Sequence, residues 1–265
     1  MYVDVHAHLT DKRFESDLDN VISECEKHGL SSIIVNGIDP ETNRAALEMA
    51  DKYTIIKAAL GIYPVNAAGR MAKGLPFPVP DFDIDREIEF IADSAKNNKI
   101  SAIGECGLDG YWIKEETYEC QEKVFRQLIE IALSNDLPII VHTRKLESRS
   151  IEILASYKAP KVIFHCFGGK TDIAVKTAEK EGWSFSIPAN ATKNEAFKKM
   201  LLLLPKEAIL TETDSPYLSP EKGERNTPLN VIKTVEFMAR LRNLETAEAK
   251  EIIWNNYKRL FTSRS

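Results

Sequence analysis

Short apolar runs alternate with amphipathic stretches along the whole chain. Runs rich in branched apolar residues fall at 2–6, 31–36, 54–60, 100–104, 138–142, 160–165, 183–187 and 207–212. Several are continuously apolar, the pattern of a strand buried on both faces. Between them, apolar residues recur at helical spacing over 15–28, 41–52, 84–97, 116–134, 146–157, 171–181, 192–203 and 227–242. A further helix is expected at about 245–261, packed outside. Eight strand–helix units in succession predict an α/β fold, a TIM (β/α)8 barrel with an extra C-terminal helix, with residues 1–265 as one domain. The irregular stretch is 64–83, which holds Pro64, Pro76, Pro78, Pro80 and two glycines. It follows the third strand, so it emerges at the barrel mouth, as a long active-site loop or a tolerated insertion.

Composition changes this picture little. The 265 residues suit one barrel or two smaller domains, and 43% hydrophobic with 28% charged content is ordinary for a globular protein. No apolar run reaches the roughly 20 residues of a membrane helix. The first residues lead straight into a strand, without a basic region or apolar signal core, so a cytoplasmic location is expected. Cys25, Cys106, Cys120 and Cys166 form no C-x-x-C pair and are expected to be reduced. The net charge of −5 argues against a broad basic surface that coats nucleic acid. Bound divalent cations would still invert the field locally.

The candidate chemistry lies at strand ends. Four of the five histidines end predicted strands: His6 and His8, His142, and His165. Glu105 and Asp214 follow two more strands. In a parallel barrel, side chains at the C-terminal ends of strands converge on one mouth. Imidazole and carboxylate together are the donors that a borderline divalent metal prefers. His6 and His8 are two apart and so share a strand face. Closing the barrel puts the eighth strand beside the first, which brings Asp214 to His6 and His8. Strands five and six are neighbours, which pairs His142 with His165. Glu105 must then connect both halves, so two divalent cations about 3.5–4 Å apart are expected. Asp4 shares the face of His6 and His8 one step deeper and is expected to be structural or to orient a histidine from behind. Asp109 could salt-bridge at the surface or support the site, and the structural role is favoured. Glu212 shares a face with Asp214 and is expected to orient a ligand or a water proton from behind. Arg144 could grip a phosphate or pair with Glu147. His28, before Gly29 at a helix end, needs no role in the site. Ser215 has no base placed for it, so it is not a nucleophile.

His6-x-His8, Gly-Glu-Cys-Gly-Leu-Asp (104–109), His142-x-Arg144, Phe-His-Cys-Phe-x-Gly (164–169), Glu-Thr-Asp-Ser-Pro-Tyr-Leu (212–218), Arg-Asn-x-Pro (225–228) and Asn256-x-x-Arg259-Leu260-Phe261 occur in this order. Together they resemble the TatD family of metal-dependent deoxyribonucleases, within the amidohydrolase-like barrel superfamily, over nearly the whole chain. The resemblance implies a distorted TIM barrel and a 3′–5′ exonuclease that acts on DNA, at single-stranded or frayed 3′ ends. It implies that His6, His8, Glu105 and Asp214 surround one metal (Mg, Mn, Zn or similar), and that Glu105, His142 and His165 surround the other. It makes Asp214 and Glu105 the catalytic carboxylates, with Asp214 accepting the proton of a water activated by the two metals. Arg144, Tyr63 and Asn226 are the expected substrate contacts. No membrane and no obligate protein partner is implied.

The chain departs from the family pattern twice. Gly61-Ile62-Tyr63-Pro64-Val65 stands where the family commonly has Gly-x-His-Pro-His, so both histidines are absent. Gly110 lengthens the loop after Asp109, and the 64–83 loop is expanded. Two other readings stay open on the same residues. An amidase, lactonase or D-aminoacyl-tRNA deacylase would direct the same water at a carbonyl carbon. A metal-stabilised scaffold protein would keep the ligands without catalysis.

Overall fold

A computed structural model describes residues 1–262. Its eight strands are β1 (Tyr2–Ala7), β2 (Leu30–Asn36), β3 (Ile56–Leu60), β4 (Ala102–Asp109), β5 (Ile139–Arg144), β6 (Val162–His165), β7 (Ser184–Ile187) and β8 (Ile209–Thr211). They lie side by side in chain order, each parallel to the next. The helices that return the chain are α1 (Leu18–Lys27), α2 (Pro40–Lys52), α3 (Pro64–Ala68), α4 (Ile84–Lys96), α5 (Tyr118–Ser134), α6 (Glu147–Ser156), α7 (Thr171–Glu181), α8 (Glu195–Leu203), α9 (Val231–Arg242) and α10 (Thr246–Phe261). The result is a nearly closed TIM barrel. None of these helices is long and apolar enough to cross a membrane.

Local sequence sets the helix ends. Asp39 caps α2 by accepting from Thr42 N at 2.9 Å, with Pro40 in the first turn. The strands are buried on both faces, and Phe164, Phe167, Trp183 and Phe185 pack together beneath the helices that follow them. Trp183 satisfies its buried N–H on Ala159 O at 2.7 Å.

Three features differ from the sequence expectation. β4 continues five residues past the expected end at 104, to Asp109, and β5 runs to Arg144. β4 is irregular between Ile103 and Cys106 and then pairs again with β5, which places Glu105 inside a strand instead of after it. Glycines make room for this: a Cβ on Gly61 would overlap the backbone at Gly104 and Glu105, and one on Gly107 would overlap His142 O. Within 64–83, the short helix α3 forms because Val65 and Ala68 are buried against Ile113, with Tyr63, Leu75, Phe77, Val79 and Trp112 around them. Five residues of mostly neutral propensity gave no periodic signal, so tertiary burial decides that turn.

The barrel closes through a thin seam. β8 has three residues, and beyond it only the bridge Ala7–Ser215 continues the pairing to β1. Asp214 N donates to His6 O at 2.9 Å, His8 N to Ser215 O at 2.7 Å, and Thr211 Oγ1 to Val3 O at 2.7 Å. The buried Asp4 carboxylate accepts from His6 N at 3.1 Å, Thr213 N at 3.0 Å and Thr213 Oγ1 at 2.5 Å. It thus ties the two backbones and touches no imidazole, so of the two expected roles the structural one fits and the orienting one does not. Asp4→Ala strands two buried N–H groups and a hydroxyl, and should lower stability by about 3 kcal/mol. Urea unfolding measures this. A loss below about 1 kcal/mol would mean that the seam is held elsewhere.

Candidate metal centre

Five elements deliver donor atoms to one point. β1 supplies His6, with His8 one residue past its end, the irregular β4 supplies Glu105, β5 supplies His142 and β6 supplies His165, while Asp214 stands just beyond β8. Asp214 has φ 54 and Cys166, after His165, has φ 43. Non-glycine residues in this region are uncommon and gather where a structure aims side chains for function.

The donors form two groups that share Glu105. In the first, His6 Nε2 and His8 Nε2 are 3.2 Å apart. They lie 3.4 and 3.3 Å from Glu105 Oε2, and 3.7 and 3.4 Å from Asp214 Oδ1. In the second, Glu105 Oε1 is 3.0 Å from His142 Nδ1 and 3.2 Å from His165 Nε2, and those nitrogens are 3.4 Å apart. With bonds of about 2.0–2.2 Å, a tetrahedral ion places neighbouring donors about 3.3–3.6 Å apart. The spacings match ligands around small divalent cations, four donors in one group and three in the other. His6, His165 and Glu105 are buried floor, whereas the side chains of His8, His142 and Asp214 keep 13, 13 and 16% exposure. The centre opens on that side.

Charge balance points the same way. Burial alone would raise the Glu105 carboxyl, but His165, His142 and His6 hold it well below its ordinary value. Asp214 is likewise lowered, against burial, by His8 above all. The carboxylates in turn outweigh burial at His8, which is raised to about 10, and also raise His142 and His165. His6, enclosed and beside His165, falls to about 4. Positive charge is what this cluster of carboxylates requires.

Outer partners fix the rings. His8 Nδ1 is 3.1 Å from Asn36 O, which accepts a proton there and leaves Nε2 to face inward. His142 Nε2 is 2.9 Å from Asp109 Oδ2, which leaves Nδ1 for the centre. Asp109 therefore supports the site, the less favoured of the two roles open to it from sequence. Alternation would have revealed it, because it lies four residues past Glu105 on the same strand. Glu212 stands behind His165, its Oε2 at 3.7 Å from Nδ1, while Ser186 Oγ and Cys166 N donate to its two oxygens at 2.5 and 2.9 Å.

Other candidates settle differently. Asn226 is buried, and its amide N–H groups donate to Thr213 O and Tyr217 O at 2.8 and 2.7 Å. It has no donor left for a substrate, which corrects the expectation of a substrate contact. Arg225 pairs with Asp17 at 2.7 Å and lies over Phe14, away from the centre. Arg144 is exposed and stacks on Tyr111, and Glu147 accepts from Lys145 N at 3.1 Å instead of pairing with Arg144. Tyr63 sets its ring edge-on to His142, with centroids 4.8 Å apart. Val65 is fully buried in the same apolar cluster as Ile113, which joins the 64–83 stretch to the turn after Asp109. The four cysteines are unpaired, and Ser215 is buried.

Asp109→Asn offers one oxygen to three donors, the N–H groups of Tyr111 and Trp112 and the His142 ring. An amide N–H facing Nε2 would move the His142 proton to Nδ1, toward the centre. Metal affinity should fall about 10–100-fold in equilibrium dialysis, and an unchanged affinity would remove Asp109 from this role. His8 carries its proton up to about pH 10 in the ion-free protein, and ion uptake must expel it. Affinity should therefore weaken as pH falls, by about tenfold per unit or more between pH 9 and 7, since His142 and His165 are raised as well. Calorimetry in buffers of different ionisation heat should record at least one proton released, and none would contradict the charge balance.

Residues 3–262 match the family described as TatD related DNase. An uncharacterized metal-dependent hydrolase of Methanocaldococcus jannaschii is 36% identical over 265 residues, covering 99% of this chain and 98% of that one. The deoxyribonuclease TATDN3 of Homo sapiens is 30% identical over 267 residues, covering 98% and 94%. In fold, the crystal structure of YJJV, a TatD homologue from Escherichia coli K12, superposes with a TM-score of 0.85 at 23% identity, covering 98% of both chains. This chain belongs to the TatD-related DNase family and is a metal-dependent hydrolase of that family.

Proposed function

We propose that this protein is a deoxyribonuclease that removes nucleotides from single-stranded or frayed 3′ ends, working in the cytoplasm as a single barrel domain. The observation that carries this reading is the shared carboxylate: Glu105 presents one oxygen to His6 and His8 and the other to His142 and His165. Two divalent cations held there would polarise a phosphoryl oxygen and make water a nucleophile near neutral pH.

The chain's own residues supply the rest. Asp214 sits on the open side with its carboxyl ionised, so it can accept a proton from an attacking water. Tyr63 is pushed upward, mainly by burial and then by the Glu105 charge, so its phenol stays a proton donor to a phosphate oxygen. Arg144 has its guanidinium face against Tyr111, and its N–H edge remains for phosphate. Phosphate, which Arg144 and the bound cations would both attract, fits this mouth better than a neutral carbonyl substrate. The name of the human relative agrees with that choice. With a net charge of −5, the protein offers no broad grip on duplex DNA, which favours chain ends.

A 5′-labelled single-stranded oligonucleotide with Mg²⁺ or Mn²⁺ tests this. A ladder shortening from the 3′ end is expected. Glu105→Ala should lose bound metal and more than about 100-fold of the rate together. Full metal content and normal turnover in that variant would overturn the account of the site. No DNA cleavage, with hydrolysis of a lactone, amide or D-aminoacyl ester instead, would replace the nuclease with a carbonyl hydrolase.

A further inference from the structure

Among the phenylalanine, tyrosine and tryptophan side chains of the described residues, two are exposed, Tyr111 at 50% and Tyr217 at 48%; the others are buried or half-buried. Both lie beside the candidate metal centre, and each carries an arginine on its face. The Arg144 guanidinium is 3.5 Å from the Tyr111 centroid, and that of Arg13 is 4.5 Å from the Tyr217 centroid. The two pairs flank opposite sides of Glu105. Tyr217 meets the His8 ring edge-on at 6.2 Å between centroids, and His8 faces Glu105 Oε2. Tyr111 is tied to His142 through Asp109, and His142 faces Glu105 Oε1.

These rings are exposed, yet the backbone that carries each is tied down. Asp109 Oδ1 accepts from Tyr111 N and Trp112 N at 2.8 and 2.7 Å, buried Gln121 braces Asp109, and Trp112 packs on Phe77. Tyr217 N donates to Asp214 O at 2.8 Å, and its carbonyl accepts from Asn226. A fixed ring open to solvent gives stacking without the entropy cost of ordering it. Every nucleobase has a π face for such a ring, and arginine planes stack in the same way.

We propose that Tyr111 and Tyr217 are nucleobase-stacking platforms on the two sides of the scissile phosphodiester, so that the strand crosses the metal centre from one to the other. The platforms differ in charge. Asp11 holds Arg13 with bonds of 2.9 and 2.8 Å, which neutralises it. Arg144 has no ion pair among the described residues, so the Tyr111 side also attracts the adjoining phosphate. This inference rests on the phosphodiesterase reading above.

Three single-stranded oligonucleotides of one sequence test it: intact, abasic (tetrahydrofuran) in the 3′-terminal nucleotide, and abasic in the penultimate one. Tyr111→Ala and Tyr217→Ala should each raise KM about tenfold on the intact strand. Each defect should vanish on one abasic substrate, and the two variants should lose their defects on different ones. Tyr→Phe at either position should recover most of the KM. Equal KM for all three substrates in the wild-type protein, or defects that persist on every substrate, would overturn the platforms alone. No cleavage of the intact strand by metal-loaded wild-type protein would overturn the phosphodiesterase reading and the platforms with it.

Discussion

A carboxylate buried where two groups of imidazoles meet is the constraint around which this molecule is arranged. An ionised Glu105 in an apolar barrel would be costly without cationic neighbours. The fold supplies them from three strands, with His6 and His8 on one side and His142 and His165 on the other. To place that side chain inward, β4 gives up regular pairing at Glu105 and relies on glycines above and beside it. The seam between β8 and β1 is equally subordinate to the site. Asp214 reaches His8 because its own N–H is bonded to His6 O.

Support comes from fully buried polar groups behind the rings. Asn36, Asp109 and Glu212 stand behind three of the four rings, and two of these partners belong to strands adjacent to the ring they serve. Asp109 acts twice, holding His142 with one oxygen and the Tyr111–Trp112 turn with the other. Geometry at the metal centre and geometry at the rim are therefore joined through a single side chain. The apolar cluster around Val65 and Ile113 joins the other long loop to the same turn. Tyr63 and Val65 thus make that edge of the mouth a buried apolar contact with the turn after Asp109.

Much of this was legible from residue order. Hydrophobic period located the eight strands within a few residues, because short continuous apolar runs such as Ile139–Val141 alternate with longer amphipathic stretches and are too short for helices of their own. The convergence of six candidate ligands followed from strand ends alone. What escaped was set by tertiary contact. The extension of β4 through Cys106 and Leu108 depends on pairing with β5, and α3 exists because Val65 and Ala68 find Ile113. Asn226 looked available because a motif names a residue without saying which way it faces; its amide closes the loop after Asp214. Arg225 was spoken for by Asp17, far away in sequence.

The most direct test of the shared carboxylate is anomalous diffraction at the manganese edge from crystals grown with Mn²⁺. Two peaks about 3.5–4 Å apart are predicted, one within bonding distance of His6, His8 and Asp214, the other of His142 and His165, with Glu105 between them. A single peak, or a second peak seated on His6, His165 and Glu212 deeper in the barrel, would contradict the account.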